Sequence, residues 1–256
     1  MRHPIVFVTD YGRDDAYAAA LTGAAWTVDP EARCVEGTHG VPAGDVLCGA
    51  YQLKALALAF GKGAVLCAVV DPGVGTARRA IAIDAGGVRC VAPDNGLVSY
   101  LWEEAVPVSR RAVRLDIPAG ASPTFHGRDV FAPAAARLAA GGHLEELGEP
   151  IDDPLIRSDA FAEHMGSRLA GRVVVVDHFG NAITTIRSAD VGSRSIRSVS
   201  WAGSSGIGPV TTYADIDDGP AALFGGAGHL EVAARGRPVS RVGGPALHDA
   251  VIIDLA

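Results

Sequence analysis

Lysine is almost absent from this chain: Lys54 and Lys62 are the only two in 256 residues, against twenty arginines. We read that bias as genome composition, and it argues against weighting any single arginine by itself. There is no basic run, and 22 Lys and Arg against 29 Asp and Glu leave a net charge of −7, which disfavours a nucleic-acid footprint built on phosphate neutralisation. Cysteine is scarce and dispersed. Cys34, Cys48, Cys67 and Cys90 form no CxxC pair, so neither a zinc cage nor a disulfide framework is suggested. The eight histidines include no HxH or HExxH pair, which leaves metal catalysis without support and a bound metal unexpected. A GxSxG elbow and a GxxxxGK[ST] loop are also missing. No apolar stretch approaches the roughly 18 residues of a membrane span, and the run Ile5 to Val8 is too short for a signal-peptide core, so a cytoplasmic protein without membrane contact is expected.

What is present is a globular composition, 48% hydrophobic and 20% charged, with no internal repeat. Residues 4–9 read as a buried strand ending on Asp10, with Asp14 and Asp15 as helix-start residues and a helix over 16–28. A second helix over 50–60 leads into 64–70, a continuous apolar run that ends on Asp71. Segments 80–84 and 88–92 flank Gly86-Gly87 as a hairpin, and 132–140 is the last clear helix. This alternation predicts an α/β domain with a largely parallel sheet over residues 1–155, its ligands at the carboxyl ends of the strands. The pattern loosens over 150–171. Beyond it, 173–176, 182–186, 195–201, 210–213, 229–233 and 251–255 are short strand-like pieces without a convincing helix, predicting a smaller all-β barrel over 170–256.

Three loops present polar groups directly after strand-like runs: VTDYG (8–12), VVDPGVGTARR (69–79) and APDNG (92–96). Turn chemistry accounts for each singly, since Asp caps turns and Gly accepts positive φ; three together in one α/β domain favour a site. His126 stands in FHGRDVF, where Asp129 reads equally as a helix cap. Four valines precede Asp177-His178-Phe179-Gly180-Asn181, which a turn also explains.

Taken in order, TDYG, VVDPGVGTARR, PDNG, FHGRDVFAPAAA and DHFGN resemble the S-adenosyl-L-methionine (SAM) hydroxide adenosyltransferase family, relatives of the fluorinases and chlorinases. The resemblance implies an N-terminal α/β domain, a C-terminal β-barrel, no cofactor, and a homotrimer with its substrate at subunit interfaces. The implied reaction is attack of water or hydroxide on the ribose 5' carbon of SAM, giving adenosine and L-methionine. Methionine leaves as a neutral thioether, so no acid need protonate it. In-line placement is worth about 7–11 kcal/mol and a general base about 10²–10⁴ in rate, which makes placement the larger contribution.

By the same resemblance the water-activating set falls on Asp71, Arg78 and His126, with Arg79 a neighbouring alternative to Arg78. Asp10 corresponds to the acceptor of the ribose hydroxyls, Asp15 to a holder of the methionine ammonium, Phe179 and Asn181 to adenine contacts, and Asp177 and Glu231 to the methionine end. The halide enzymes of the superfamily have Tyr and Thr where this chain has Asp71 and Val74, and fluorinases have Ser where it has Gly127. A carboxylate beside the nucleophile repels halide, which favours water. An Asn-Ser pair expected in the C-terminal substrate loop is Gly225-Gly226 here, so Gly226 is left to contribute backbone N–H only. The competing readings are a halide adenosyltransferase, a non-catalytic SAM or adenosine binder, and a structural trimer whose loops are merely turns.

Overall fold

The computed structural model describes residues 2–204 and 206–256, and the chain divides into two compact units, one ending at Arg157 and the other beginning at Ser158. In the first unit β1 (Ile5–Thr9), α1 (Tyr17–Val28), β2 (Cys34–Thr38), α2 (Val46–Phe60) and β3 (Val65–Val69) alternate as strands and helices. The hairpin β4 (Ala80–Ala85) and β5 (Val88–Pro93) follows, then α3 (Ser99–Glu104), β6 (Arg110–Leu115), α4 (Ala132–Ala139) and β7 (Gly148–Ile151). One seven-stranded sheet has the order β2-β1-β3-β5-β4-β6-β7. Its first four strands run parallel, and the remaining pairings are antiparallel. The parallel strands β1 and β3 are buried at every residue, as strands covered on both faces must be.

Packing of α1 and α4 against this sheet produces a core around Phe7, Leu21, Phe131 and Leu138, all fully buried. Asp14 and Asp15, expected at the helix start, lie ahead of it: Ala16 is the N-cap of α1 and no acid occupies the first turn. The second helix begins earlier than its apolar pattern indicates, because the Asp45 side chain accepts from Cys48 N–H at 2.9 Å and caps it there. Nor is Asp129 a cap. It sits inside a π-helical turn, Gly127–Phe131, that runs directly into α4, and its carboxylate accepts instead from Ser122 N–H and Arg128.

The second unit carries β8 (Glu163–Met165), β9 (Arg168–Val176), β10 (Ala182–Arg187), the single-turn α5 (Ser188–Val191), β11 (Ile196–Trp201), β12 (Pro220–Phe224), β13 (His229–Ala234) and β14 (Ala250–Leu255). They form an antiparallel, barrel-like sheet ordered β11-β14-β9-β10-β13-β12, with β8 added to β9. Leu169, Val173, Ile186, Leu230, Val232 and Ile253 fill its interior. The strand expected over 210–213 does not form: Pro209 makes one isolated bridge to Ala222, and Tyr213–Asp215 turns as a 3-10 helix. Thr212 closes that turn by accepting from Asp215 N–H through its carbonyl, while its own N–H and hydroxyl donate to the Asp215 carboxylate. Among the described residues no helix is long and apolar enough to cross a membrane.

Candidate active site

The 69–79 loop leaves the carboxyl end of β3 and folds back on itself. Val74 N–H donates to Asp71 O at 3.2 Å, Thr76 N–H to Gly73 O at 3.1 Å, and Arg78 N–H to Thr76 Oγ1 at 3.3 Å. These turns bring Arg78 back to face Asp71 across the seven-residue spacing. Gly75 is required there: its φ is +78°, and a Cβ would lie 2.6 Å from Pro123 O, so only glycine lets this loop press against the segment that carries His126.

Arg78 Nε donates to both Asp71 oxygens at 3.0 Å, and Nη2 donates to Oδ2. The same Nη2 meets His126 Nδ1 at 2.9 Å, and the guanidinium stacks 5.3 Å from the Phe131 ring centroid. The pair is shielded, with only 9% of the Arg78 and 5% of the Asp71 side chain exposed. A guanidinium has no acceptor, so Nδ1 of His126 must be the acceptor and the proton of the neutral ring sits on Nε2. Burial first, and then the charge of Arg78, pull the His126 pKa below its ordinary value, with Asp71 and Asp129 opposing. The ring is therefore held neutral with a donor at its far edge. With His126 Nδ1 engaged by Arg78, the Asp71 carboxylate is the member of the trio that keeps a lone pair open to accept.

Arg79 faces a different network. Its Nε donates to Asp94 Oδ2 and its Nη1 to Asp153 Oδ1, both at 2.7 Å. Asp94 Oδ1 accepts from Leu155 N–H at 2.7 Å, and Asn95 Nδ2 donates to Val70 O at 2.8 Å. The APDNG loop is thus a clamp on strand ends, and Arg78 rather than Arg79 joins Asp71. Asp10 accepts from Gly44 N–H at 2.8 Å and is half-buried, while Asp15 lies exposed before α1. Three residues escaped the sequence reading. Gly44 supplies that N–H. His39 secures the loop after β1 through Thr9 Oγ1 at 2.7 Å and through Gly12 N–H, and Tyr11 stands beside the trio. Of these only Tyr11 carried a signal, its place in TDYG.

In the second unit Asp177, Phe179, Asn181 and Tyr213 line a cavity of about 700 Å³ together with Arg235 and Pro238. Asp177 Oδ1 accepts from the N–H groups of Phe179 and Asn181 at 3.0 and 2.8 Å, and Oδ2 from Asn181 Nδ2 at 3.1 Å. The Asp177 carboxylate thereby shapes the turn, the Phe179 ring stands 73% exposed, and Asn181 keeps its amide oxygen as an acceptor. Glu231 on β13 is buried and accepts from Tyr213 Oη at 2.6 Å; burial raises its pKa and the nearby Asp177 charge adds to this, against the Tyr213 hydrogen bond. A Cβ on Gly225 would lie 1.7 Å from Glu231 Oε1, so the Glu231 carboxylate occupies the volume that a side chain at 225 would need. Gly226 is exposed with open space around it. Among the described residues no cluster of three or more His, Cys, Asp or Glu could hold a metal ion.

Residues 5–148 match the SAM hydroxide adenosyltransferase N-terminal domain and residues 171–251 the corresponding C-terminal domain. The chain is 44% identical over 191 residues to the (R)-S-adenosyl-L-methionine hydrolase of Salinispora tropica, covering 69% of each chain. To the protein of that name from Thermus thermophilus it is 38% identical over 242 residues, 90% of this chain and 91% of the relative. A fluorinase from Actinoplanes sp. is 32% identical over 222 residues, covering 73% and 72%. Among solved structures, an uncharacterized conserved protein from Thermotoga maritima is similar with a TM-score of 0.85 at 28% identity, over 98% of this chain and 99% of that one.

Proposed function

The chain belongs to the SAM hydroxide adenosyltransferase family and hydrolyses SAM to adenosine and L-methionine, and we propose that Asp71, Arg78 and His126 hold and activate the attacking water. The observation that carries this reading is the single guanidinium that joins Asp71 to His126. Arg78 orients the carboxylate and fixes the imidazole tautomer. Nε2–H of His126 then donates to the water oxygen, while Asp71 takes up the proton as the oxygen bonds to the 5' carbon and the carbon–sulfur bond breaks. Because the leaving group is a neutral thioether, the site needs no acid on the methionine side. A strong base is not needed either; most of the acceleration comes from holding water in line with the departing sulfur.

Asp10 accepts from the ribose hydroxyls and Asp15 binds the methionine ammonium. Phe179 and Asn181 serve the adenine ring and its edge, and Asp177, Gly226 and Glu231 serve the methionine end. The resemblance supports a homotrimer with substrate at subunit interfaces, and four free thiols, three of them buried, support a cytoplasmic location. Against a halide nucleophile stands the Asp71 carboxylate, since two anions desolvated side by side repel each other. The test is turnover of SAM by Asp71→Ala and His126→Ala. Loss of adenosine formation in both supports the assignment, and unchanged turnover in either overturns it.

A further inference from the structure

One polar group beside the trio has no role in the mechanism above. Tyr11 follows Asp10 directly, and its ring is held edge-on between Tyr17 and Phe125, each with its centroid 5.9 Å away; those two rings meet each other at 5.6 Å. Its N–H is anchored to Thr9 Oγ1 at 3.2 Å. Three rings and a backbone bond fix where the hydroxyl points. That point lies over Gly127, the residue after His126: a Cβ on Gly127 would sit 2.1 Å from Tyr11 Oη and 3.2 Å from Cζ. The Tyr11 hydroxyl thus fills the volume that any side chain at 127 would claim, including the serine found there in fluorinases.

Among the described residues the Tyr11 hydroxyl has no hydrogen-bond partner, although it is half-buried and lies within electrostatic reach of Asp10, Asp71 and Arg78. Burial first, and then Cys67 and the two carboxylates, raise its pKa, so it is present as a neutral O–H. A neutral hydroxyl suits an oxygen nucleophile as an acceptor: its oxygen can take the water's second O–H and so aim the free lone pair at carbon, without adding a charge that would compete with Asp71 for Arg78.

We propose that Tyr11 is a further catalytic residue, whose hydroxyl oxygen accepts the second O–H of the attacking water, the one Asp71 does not take, from the space left by the missing side chain at Gly127. The inference rests on the hydrolase reading above. Tyr11 and Gly127 form a reciprocal pair, because the hydroxyl can occupy its position only while residue 127 is glycine.

The test is a double-mutant cycle on the full-length protein with Tyr11→Phe, Gly127→Ala and both together, reading kcat, KM and Tm with SAM as substrate. Tyr11→Phe removes the hydrogen bond that the water's second O–H makes to Oη, so kcat falls about tenfold with KM and Tm near wild type. Gly127→Ala lowers Tm through the overlap. Adding Tyr11→Phe removes the 2.1 Å overlap, though Leu21 Cδ2 and the ring Cζ remain at 3.2 Å, so Tm recovers in large part while kcat stays low, a split that a packing role would not give. An unchanged kcat in Tyr11→Phe, or recovery of kcat together with Tm in the double variant, would overturn the proposal. Wild-type protein that made no adenosine would instead strike at the hydrolase reading itself, and the two failures are told apart by that control.

Discussion

Replacing Arg78 by lysine separates charge from geometry at the centre of the site. The substitution keeps the positive charge beside Asp71 but removes the fork: Arg78 reaches Asp71 through Nε and Nη2 and His126 Nδ1 through the same Nη2, at 3.0 Å for Nε and 2.9 Å to the imidazole. A single ammonium can hold one of these partners in good geometry and not both. A lost hydrogen bond to a charged group costs about 1.5–3 kcal/mol, and in the transition state that corresponds to a fall of roughly 10- to 150-fold in kcat/KM. Freed of its donor, His126 also samples the Nδ1–H tautomer, which turns the wrong edge to the water.

Stability responds less than it would to a neutral replacement. Both side chains are shielded, so Arg78→Met leaves an uncompensated carboxylate at about 3–5 kcal/mol, whereas Arg78→Lys avoids that penalty. Steady-state assays of adenosine release alongside thermal melting check both statements. If Arg78→Lys kept kcat/KM within about threefold of wild type, the guanidinium would be acting as a charge alone, and the orienting role argued for it would be wrong.

The His126 pKa lies below its ordinary value of 6.5, so the neutral ring and its contact with Arg78 persist at pH 6.5 and are lost as pH falls through the lowered value. The acid limb of kcat/KM, and the His126 contribution to stability, therefore fall away only below pH 6.5; an inflection above it contradicts the argument. Gly225→Ala sets a methyl against Glu231 Oε1 and disturbs its bond from Tyr213, so we expect a loss of about 1–3 kcal/mol with a lowered melting temperature and a raised KM for SAM, and no change in either would remove Glu231 from the substrate end. Asp10→Asn weakens acceptance from two hydroxyls at once. It should raise KM for SAM about tenfold or more while 2'-deoxy substrate, already short of one hydroxyl, is affected less; equal effects on both substrates would detach Asp10 from the ribose.

The buried strands announced themselves in the sequence, because β1 is apolar up to Thr9, β3 is apolar throughout, and each run leads to an acid, Asp10 or Asp71. Strands at or near the rim of the sheet did not. The segment Cys34–Thr38 is never fully buried and contains Glu36 and Gly37, and Arg110–Leu115 carries three arginines whose charges ion-pair with acids outside the apolar layer. The reverse error occurs at 210–213, where β-branched residues suggest a strand but the ladder stops at one bridge. The family resemblance named Asp71, Arg78 and His126 together; spacing alone accommodates only the first pair, since seven residues rich in glycine can fold back. It could not bring in His126, 48 positions further on, whose approach depends on Gly75 packing against Pro123. Nor could it reveal that the Gly225 departure is filled by Glu231 across the β12–β13 pair.

The most direct test of hydrolysis at the 5' carbon is mass detection of the nucleoside formed from SAM in heavy-oxygen water, with chloride and fluoride present. Attack by water activated at Asp71 gives adenosine that carries the heavy oxygen on its 5' carbon, in an amount that halide does not change. A 5'-halogenated nucleoside, or adenosine without the label, would contradict that route.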